Sequence, residues 1–570
     1  MADVLAAHGV RFLFTLCGGH ISPIVVGAKQ RGIRVVDVRH EASAVFAADA
    51  VARLSGTPGV AAVTAGPGLT NAITAVKNAQ LAQSPVVLLG GATATMLKGR
   101  GALQDIDQTA LLRPHVKFLA TVRRVRDLGP AVAAAFHAAQ AGVPGPAFVE
   151  CPVDLLYPEA AVRDWYGLAT PKPPRGMGER LSRWYLSRHV ERLFAGADRA
   201  TPALAPPHPA EPAPSALRRT AELLAQSERP VLLVGSQVAA PANVEPVRRA
   251  VEALGCPVFL SGMARGLLGQ RHPLLLRHRR GAALRAADLV LLAGVPCDFR
   301  LDYGRSINPH ARIVAANLSA AQARKNRRPT VAAVGDPARF IVSLAPLLSA
   351  GGSARWTAWL ATLRARDDER AAEIERLAGT TTEHVNPLDL CRAIEAVLPG
   401  DSVIVADGGD FVGTAAYIVS PRGPLSWLDP GPFGTLGVGA GFALGAQLCR
   451  PRAEVWLLYG DGSAAFSLAE FDTFVRHGLA VIAVVGNDGA WSQIARGQVE
   501  LLRDDVGTVL RRTDYERVAE GYGGKGLRIT RPEELATTLR EAQAIARSGI
   551  PVLVNALIGK TEFRAGSIAI

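Results

Sequence analysis

Residues 454–489 read EVWLLYGDGSAAFSLAEFDTFVRHGLAVIAVVGNDG. Two apolar runs, each of a length and composition suited to a strand buried on both faces, end here in Gly460-Asp461-Gly462-Ser463 and in Gly486-Asn487-Asp488-Gly489. Open parallel sheets bind ligands beyond the carboxyl ends of their strands, so both turns are expected to face one crevice. Asp461 brings a carboxylate, Asn487 an amide carbonyl and the turn at Gly489 a backbone carbonyl. That all-oxygen set suits magnesium, which keeps water and completes its shell with phosphate oxygens. Gly462 and Ser463 stand where backbone N–H groups can approach a diphosphate. A single Gly-Asp-Gly is equally a plain strand-ending turn. The second polar turn, one strand later, is what argues for a site.

Similar short apolar runs recur at 60–65, 85–91, 146–152, 230–235, 289–294, 312–318, 402–408 and 551–559. Ala-rich stretches of helical spacing, such as 42–54, 71–82 and 240–254, lie between them. This alternation predicts an α/β architecture of mostly parallel sheets flanked by helices. Two stretches break the rhythm. Residues 171–214 contain KPP and TPALAPPHPAEPAPS, whose prolines remove backbone donors and favour an extended linker. Residues 348–385 hold ARWTAWLATLRARDDERAAEIERLAG and TTTEHV, expected to form a linker with one surface helix. Three α/β domains are therefore expected, at 1–170, 215–347 and 386–570.

A chain of 570 residues, 49% hydrophobic and 20% charged, can bury several cores. Its +13 charge raises nucleic acid as a partner, but only 8 of the 63 basic residues are Lys and the arginines are scattered, with no aromatic-rich basic motif. Six cysteines lie far apart without metal spacing, which points to a reducing compartment. The N-terminal MADVLAAHGVRFLF has no charged leader region, and no apolar run approaches the roughly 20 residues of a membrane span. A cytoplasmic protein with neither membrane nor nucleic-acid partner is expected.

Further strings complete a pattern. Arg39-His40-Glu41 runs into ASAVFAADAVARLSG, and Thr64-Ala65-Gly66-Pro67-Gly68-Leu69-Thr70-Asn71 precedes SPVVLLGG. Gly101-Ala102-Leu103-Gln104-Asp105 forms another turn, and Asp407-Gly408-Gly409-Asp410-Phe411 is followed by PGPFGTLGVGAGFALGA. Neither glycine run is a dinucleotide fingerprint, because after Gly437-Val438-Gly439 the sixth position is Phe442. With the two polar turns, these strings resemble the acetolactate-synthase-like branch of thiamine-diphosphate-dependent enzymes over essentially the whole chain. In that family Gly-Asp-Gly is followed one strand later by Asn-Asn; here Gly486 replaces the first Asn and Asn487 keeps the second. Within the branch, GGHISPIVV, VRHEASAVFAADA, GMARGLLG, DGGDFVGTAA, FGTLGVGAGFALGA and FRAGSIAI are most similar to the 2-hydroxyacyl-CoA lyases.

The resemblance implies pyrimidine-binding, central nucleotide-binding-like and diphosphate-binding domains in chain order, with thiamine diphosphate and Mg2+ as cofactors. It implies that Glu41 hydrogen-bonds the cofactor's aminopyrimidine and so helps a proton leave the thiazolium, a task suited to a carboxyl partly removed from water with a raised pKa. A Glu at a helix start is otherwise accounted for by the helix dipole. Gln104 is placed at the reaction centre and Gly66 near the cofactor. Gly409, Asp410 and Phe411 meet the diphosphate, Gly434 offers a carbonyl to the pyrimidine, and Leu436 is the apolar wedge where acetolactate synthases usually have Met. In the central domain, Arg265, Arg300 and Asn317 are candidate contacts for the adenosine diphosphate part of CoA; acetolactate synthases hold FAD there. Gly19, His20 and Trp491 are candidates for the substrate pocket, although Trp491 also suits plain packing. No base is assigned among His20, His40 and His115.

The implied activity is cleavage of a 2-hydroxyacyl-CoA to formyl-CoA and an aldehyde, and the reverse condensation. Two alternatives are a carboligase acting on 2-oxo acids with FAD, and a basic nucleic-acid-binding scaffold. Because Glu41 and the Asp461 and Asn487 pair lie in different domains, which in this family meet from opposite subunits, a homodimer or a tetramer built from it is implied.

Overall fold

The ten apolar runs all become strands. The computed structural model describes residues 1–169, 176–198, 201, 204–348 and 355–566. Parts of both expected linkers and the last four residues of FRAGSIAI lie outside the described residues. The described chain divides into two compact units, 1–52 with 57–207, and 53–56 with 208–570.

The first unit holds β1 (Phe12–Thr15), β2 (Arg34–Asp37), β3 (Gly59–Val63), β4 (Val86–Ala92), β5 (Phe118–Thr121) and β6 (Ala147–Pro152). All pair in parallel, in the order β2-β1-β3-β4-β6-β5. One face of this sheet (Leu13, Val60, Ala62, Val87, Leu89, Val149) packs with Leu5, Ile24, Val132 and Phe136 from helices on that side.

The second unit contains two such sheets. One comprises β7 (Pro230–Val234), β8 (Val258–Leu260), β9 (Leu275–Leu276), β10 (Leu289–Ala293), β11 (Arg312–Asn317) and β12 (Val331–Val334), in the order β12-β11-β10-β7-β8-β9. The other comprises β13 (Val403–Ala406), β14 (Trp427–Leu428), β15 (Val455–Gly460), β16 (Ile482–Asn487), β17 (Lys525–Ile529) and β18 (Val552–Leu557), in the order β14-β13-β15-β16-β18-β17. Three parallel six-stranded sheets flanked by helices are thus present, as the alternation of runs predicts.

The first and third sheets have the same strand order. In both, the chain leaves the first strand to one side and returns on the other, so the crevice for a ligand lies between the carboxyl ends of the first and third strands. These are β1 and β3 in one sheet and β13 and β15 in the other. The middle sheet reverses instead between β7 and β10.

The stretch read as a Pro-rich linker carries a helix, Met177–Phe194, which contains no proline. The helix expected in the second interruption spans Thr357–Ala378. It is not wholly a surface element, since Trp359 and Leu363 join the core of the middle sheet and the Trp359 indole donates to the Pro230 carbonyl at 3.0 Å.

Candidate active site

The third sheet gathers the polar turns quoted first. Asp461 follows β15 directly and is buried; its Oδ1 accepts from the Gly462 N–H at 2.8 Å and its Oδ2 from the Gly489 N–H at 2.9 Å. Burial, reinforced by nearby Asp488, pushes the Asp461 carboxyl up to about 7. Such a group lacks a compensating positive charge. Asn487, at the end of β16, donates its Nδ2 hydrogens to the Thr513 carbonyl and to Asn555 Oδ1, both at 3.1 Å. Because both partners are acceptors, the amide orientation is fixed, and the buried Oδ1 has no hydrogen-bond partner among the described residues. The Gly489 carbonyl accepts from the Leu510 N–H at 2.8 Å and keeps a second lone pair. An unsatisfied amide oxygen, a carboxyl lacking positive charge and a carbonyl fit an oxygen-ligated divalent cation.

The cleft beside this set is lined by Gly409, Asp410, Phe411, Asp461, Ser463 and Trp491, among others. The turn after β13 and the turn after β15 meet so closely that a Cβ on Gly409, whose φ is +108°, would stand 3.1 Å from the Gly460 Cα. Ser463 Oγ ties them by donating to the Gly408 carbonyl at 2.9 Å and the Gly460 carbonyl at 3.0 Å. Helix Asp410–Ile418 begins there, and the first N–H groups of a helix have no partner inside it, which suits an anion. Asp410 itself pairs with Arg496 at 2.8 Å, with Arg564 at 3.8 Å, so the N–H groups rather than this carboxylate are what the turn offers an anion. Leu436 lies against the same turn, 2.2 Å from where a Cβ on Gly408 would be. Gly434, with φ +65°, is exposed just before it.

Asp407 holds this second loop in place. Its Oδ1 accepts from the Gly437 N–H at 3.0 Å and its Oδ2 from the Gly439 N–H at 2.7 Å, and burial pushes its carboxyl up to about 7. Asp407 is a site residue with no role among the expected ones; its signal in the sequence is an acid closing an apolar strand. The departure at Gly486 also has a steric counterpart. A Cβ there would stand 2.3 Å from Phe411 Cγ, so the ring uses the space that a larger residue would need. Trp491 similarly packs on Gly462, 2.4 Å from a Cβ built there.

In the first unit, Glu41 opens helix Glu41–Ser55 and is 6% exposed. Its Oε2 accepts from Asn71 Nδ2 at 3.0 Å, and a Cβ on Gly68 would stand 3.5 Å from its Oε1. Gly66, in the same turn, has φ +60° and packs under Gln104, whose carbonyl oxygen lies 2.8 Å from a built Cβ. Gln104 itself has φ +64°. His20 Nδ1 is 3.2 Å from Thr64 Oγ1, which joins the turns after β1 and β3, and burial lowers its pKa. The Gly19 carbonyl accepts from the Tyr157 hydroxyl at 3.2 Å. Glu41, Gly66, Gln104 and the Gly19-His20 turn are therefore neighbours around one crevice. Asn71 and Gln108, which accepts from the Gly66 N–H at 3.3 Å, were not singled out.

The middle sheet treats its candidates differently. Asn317, buried at the end of β11, accepts from Gln237 Nε2 at 3.1 Å and leaves its Nδ2 without a partner among the described residues. Arg265 and Arg300 both have protein partners in this structure. Arg265 stacks over Trp427 at 4.7 Å and donates to the Ala416 carbonyl at 3.0 Å, near the end of helix Asp410–Ile418, where a cation complements the dipole. Arg300 directs its fork at Asp298, with distances of 3.0 and 2.6 Å.

Residues 1–111 match the description "Thiamine pyrophosphate enzyme, N-terminal TPP binding domain", 217–344 the central domain and 407–556 the C-terminal TPP binding domain of the same family. The chain belongs to the thiamine pyrophosphate enzymes. Among this family's members, 2-hydroxyacyl-CoA lyase 2 of Danio rerio is 52% identical over 100% of this chain and 93% of its own length. The Homo sapiens protein of that name is 52% identical over 100% of this chain and 91% of its own. A probable acetolactate synthase of Mycobacterium bovis is 36% identical over 98% and 94%. In this thiamine pyrophosphate enzyme no helix among the described residues is long and apolar enough to cross a membrane.

Proposed function

We propose that the protein is a thiamine-diphosphate- and Mg2+-dependent 2-hydroxyacyl-CoA lyase, splitting its substrate into formyl-CoA and an aldehyde and joining them in reverse. The observation that carries the substrate class is the 52% identity, over the whole chain, to proteins named for that activity. Bound thiamine diphosphate supplies the electron sink for the pair left when the carbon–carbon bond breaks, which no side chain can provide. Asp461, Asn487 and the Gly489 carbonyl hold Mg2+, with the diphosphate at Gly409 to Phe411 and at Gly462 and Ser463. Leu436 and the Gly434 carbonyl shape the pyrimidine side. Glu41, steadied by Asn71, hydrogen-bonds the aminopyrimidine and handles its proton. Gln104, Gly19, His20 and Trp491 border the substrate, and Asn317 meets the CoA nucleotide.

In this reading 1–170 is the pyrimidine-binding domain, 215–347 the CoA-binding domain and 386–570 the diphosphate-binding domain, with the stretches between as linkers. The active site is completed across a homodimer, alone or within a tetramer, in the cytoplasm. Incubation with a short-chain 2-hydroxyacyl-CoA and, separately, with pyruvate tests the activity. Formyl-CoA and aldehyde from the first are expected. Turnover of pyruvate alone, with flavin released on heating, would instead favour a carboligase.

A further inference from the structure

Asn555 is a buried amide inside an otherwise apolar strand, VLVNAL, and it lies beside the cation ligand Asn487. Register puts it there. Asn555 pairs with Val485 on one side and Arg528 on the other, so Arg528, Asn555 and Asn487 point to the same face across three strands. Helix Tyr515–Gly521 covers that face. It approaches closely because Gly526 has no side chain; a Cβ there would stand 2.4 Å from the Glu516 carbonyl oxygen.

The contacts form a directed chain. Arg528 Nη1 donates to Glu516 Oε1 at 3.2 Å and to Asp514 Oδ1 at 2.7 Å. Glu516 Oε2 accepts from Asn555 Nδ2 at 2.6 Å, and the same amide nitrogen donates to the Thr513 carbonyl at 3.0 Å. With both its hydrogens committed to acceptors, Asn555 can present only its Oδ1 to Asn487, which obliges Asn487 to present Nδ2 in return. The Asn487 Oδ1 is thereby aimed away from the network. Next along the helix start, the Tyr515 hydroxyl donates to the Asp461 carbonyl at 3.0 Å, so one segment braces both side-chain ligands.

We infer that Asn555 and Glu516 are positioning residues that set the Asn487 amide with its oxygen toward the divalent cation. The inference rests on the cation site proposed above. Removing this constraint leaves only the Thr513 carbonyl to hold Asn487 Nδ2, so the amide is less firmly set, and loss of such supporting contacts typically weakens metal binding by about 10- to 100-fold.

Mn2+ binding to the full-length chain with thiamine diphosphate, followed by electron paramagnetic resonance of free Mn2+, tests it. Asn555→Leu, close in shape, is expected to raise the Mn2+ Kd by about 10- to 100-fold, with cofactor binding recovered at high Mn2+. Glu516→Gln can still accept from Asn555 and is expected to shift the Kd by less than about tenfold but measurably. Cation rescue separates positioning from a general folding defect. A folded Asn555→Leu with wild-type Mn2+ affinity overturns the inference while Asp461→Ala still abolishes binding; normal binding by Asp461→Ala overturns the cation site itself. Should Asn555→Leu not fold, an unchanged Kd in Glu516→Gln overturns the inference and a raised one supports it.

Discussion

The first and third sheets share one strand order and one crevice position, yet opposite chemistry has settled at their strand ends. Around β1 and β3 the crevice presents Glu41 held by an Asn71 amide and His20 held by the Thr64 hydroxyl. Around β13 and β15 it collects Asp407, Asp410, Asp461 and Asp488, two of which burial pushes up to about 7. Topology fixes where a ligand can sit. What it can be is decided by a few residues after each strand: a carboxyl and neutral partners suit proton handling on a heterocycle, whereas clustered carboxyls and an unsatisfied amide oxygen suit a cation and its diphosphate.

Exchanging effects between the two crevices would break this division. Glu41→Gln keeps the hydrogen-bonding shape but not the acid, so kcat is expected to fall by about 10²- to 10⁴-fold with Mg2+ and thiamine diphosphate affinity nearly unchanged, by steady-state kinetics and calorimetry. Asp461→Ala should do the reverse, weakening Mg2+-dependent cofactor binding by at least about 100-fold in the same calorimetric titration. If Glu41→Gln lost the cofactor and Asp461→Ala kept it, the assignment of roles would be inverted.

Gly486→Asn restores the family residue but overpacks Phe411. It is expected to cost about 1–3 kcal/mol in urea unfolding, partly recovered by adding Phe411→Ala. The smallest effect sharpens the contrast: Mg2+ alone should slow amide hydrogen exchange at 461–463 and 487–490 but not at 64–68.

Of the twelve inner strands among the described residues, ten were legible because they are buried on both faces and read as unbroken apolar runs, as in β3, β4, β15 and β16, whereas β1 and β8 were missed. The six sheet edges, β2, β5, β9, β12, β14 and β17, were not among those runs. Their reason is physical: β2 and β17 are partly solvated, with Arg34 and Lys525 exposed, while β9 and β14 are only two residues long. Site residues divided along similar lines. Asp461 and Asn487, where β15 and β16 close, are marked by the local pattern of polar turns, whereas Glu41 stands out only through the family resemblance. Arg265 carried no local sign of its partners Trp427 and Ala416, whereas Arg300 has its partner Asp298 two residues before it.

The sequence by itself determined the alternating strands and helices, the polar turns that close them and the set of oxygen donors, because these depend on neighbours a few residues away. Tertiary structure alone decided which way the Asn487 amide faces, why Gly486 must be small beside Phe411, and that Arg265 reaches the carbonyl of Ala416. Asn487 and Asn555 are 68 residues apart, and Arg265 and Ala416 are 151 apart. Strand order and register bring such pairs together, and no local pattern encodes their distance.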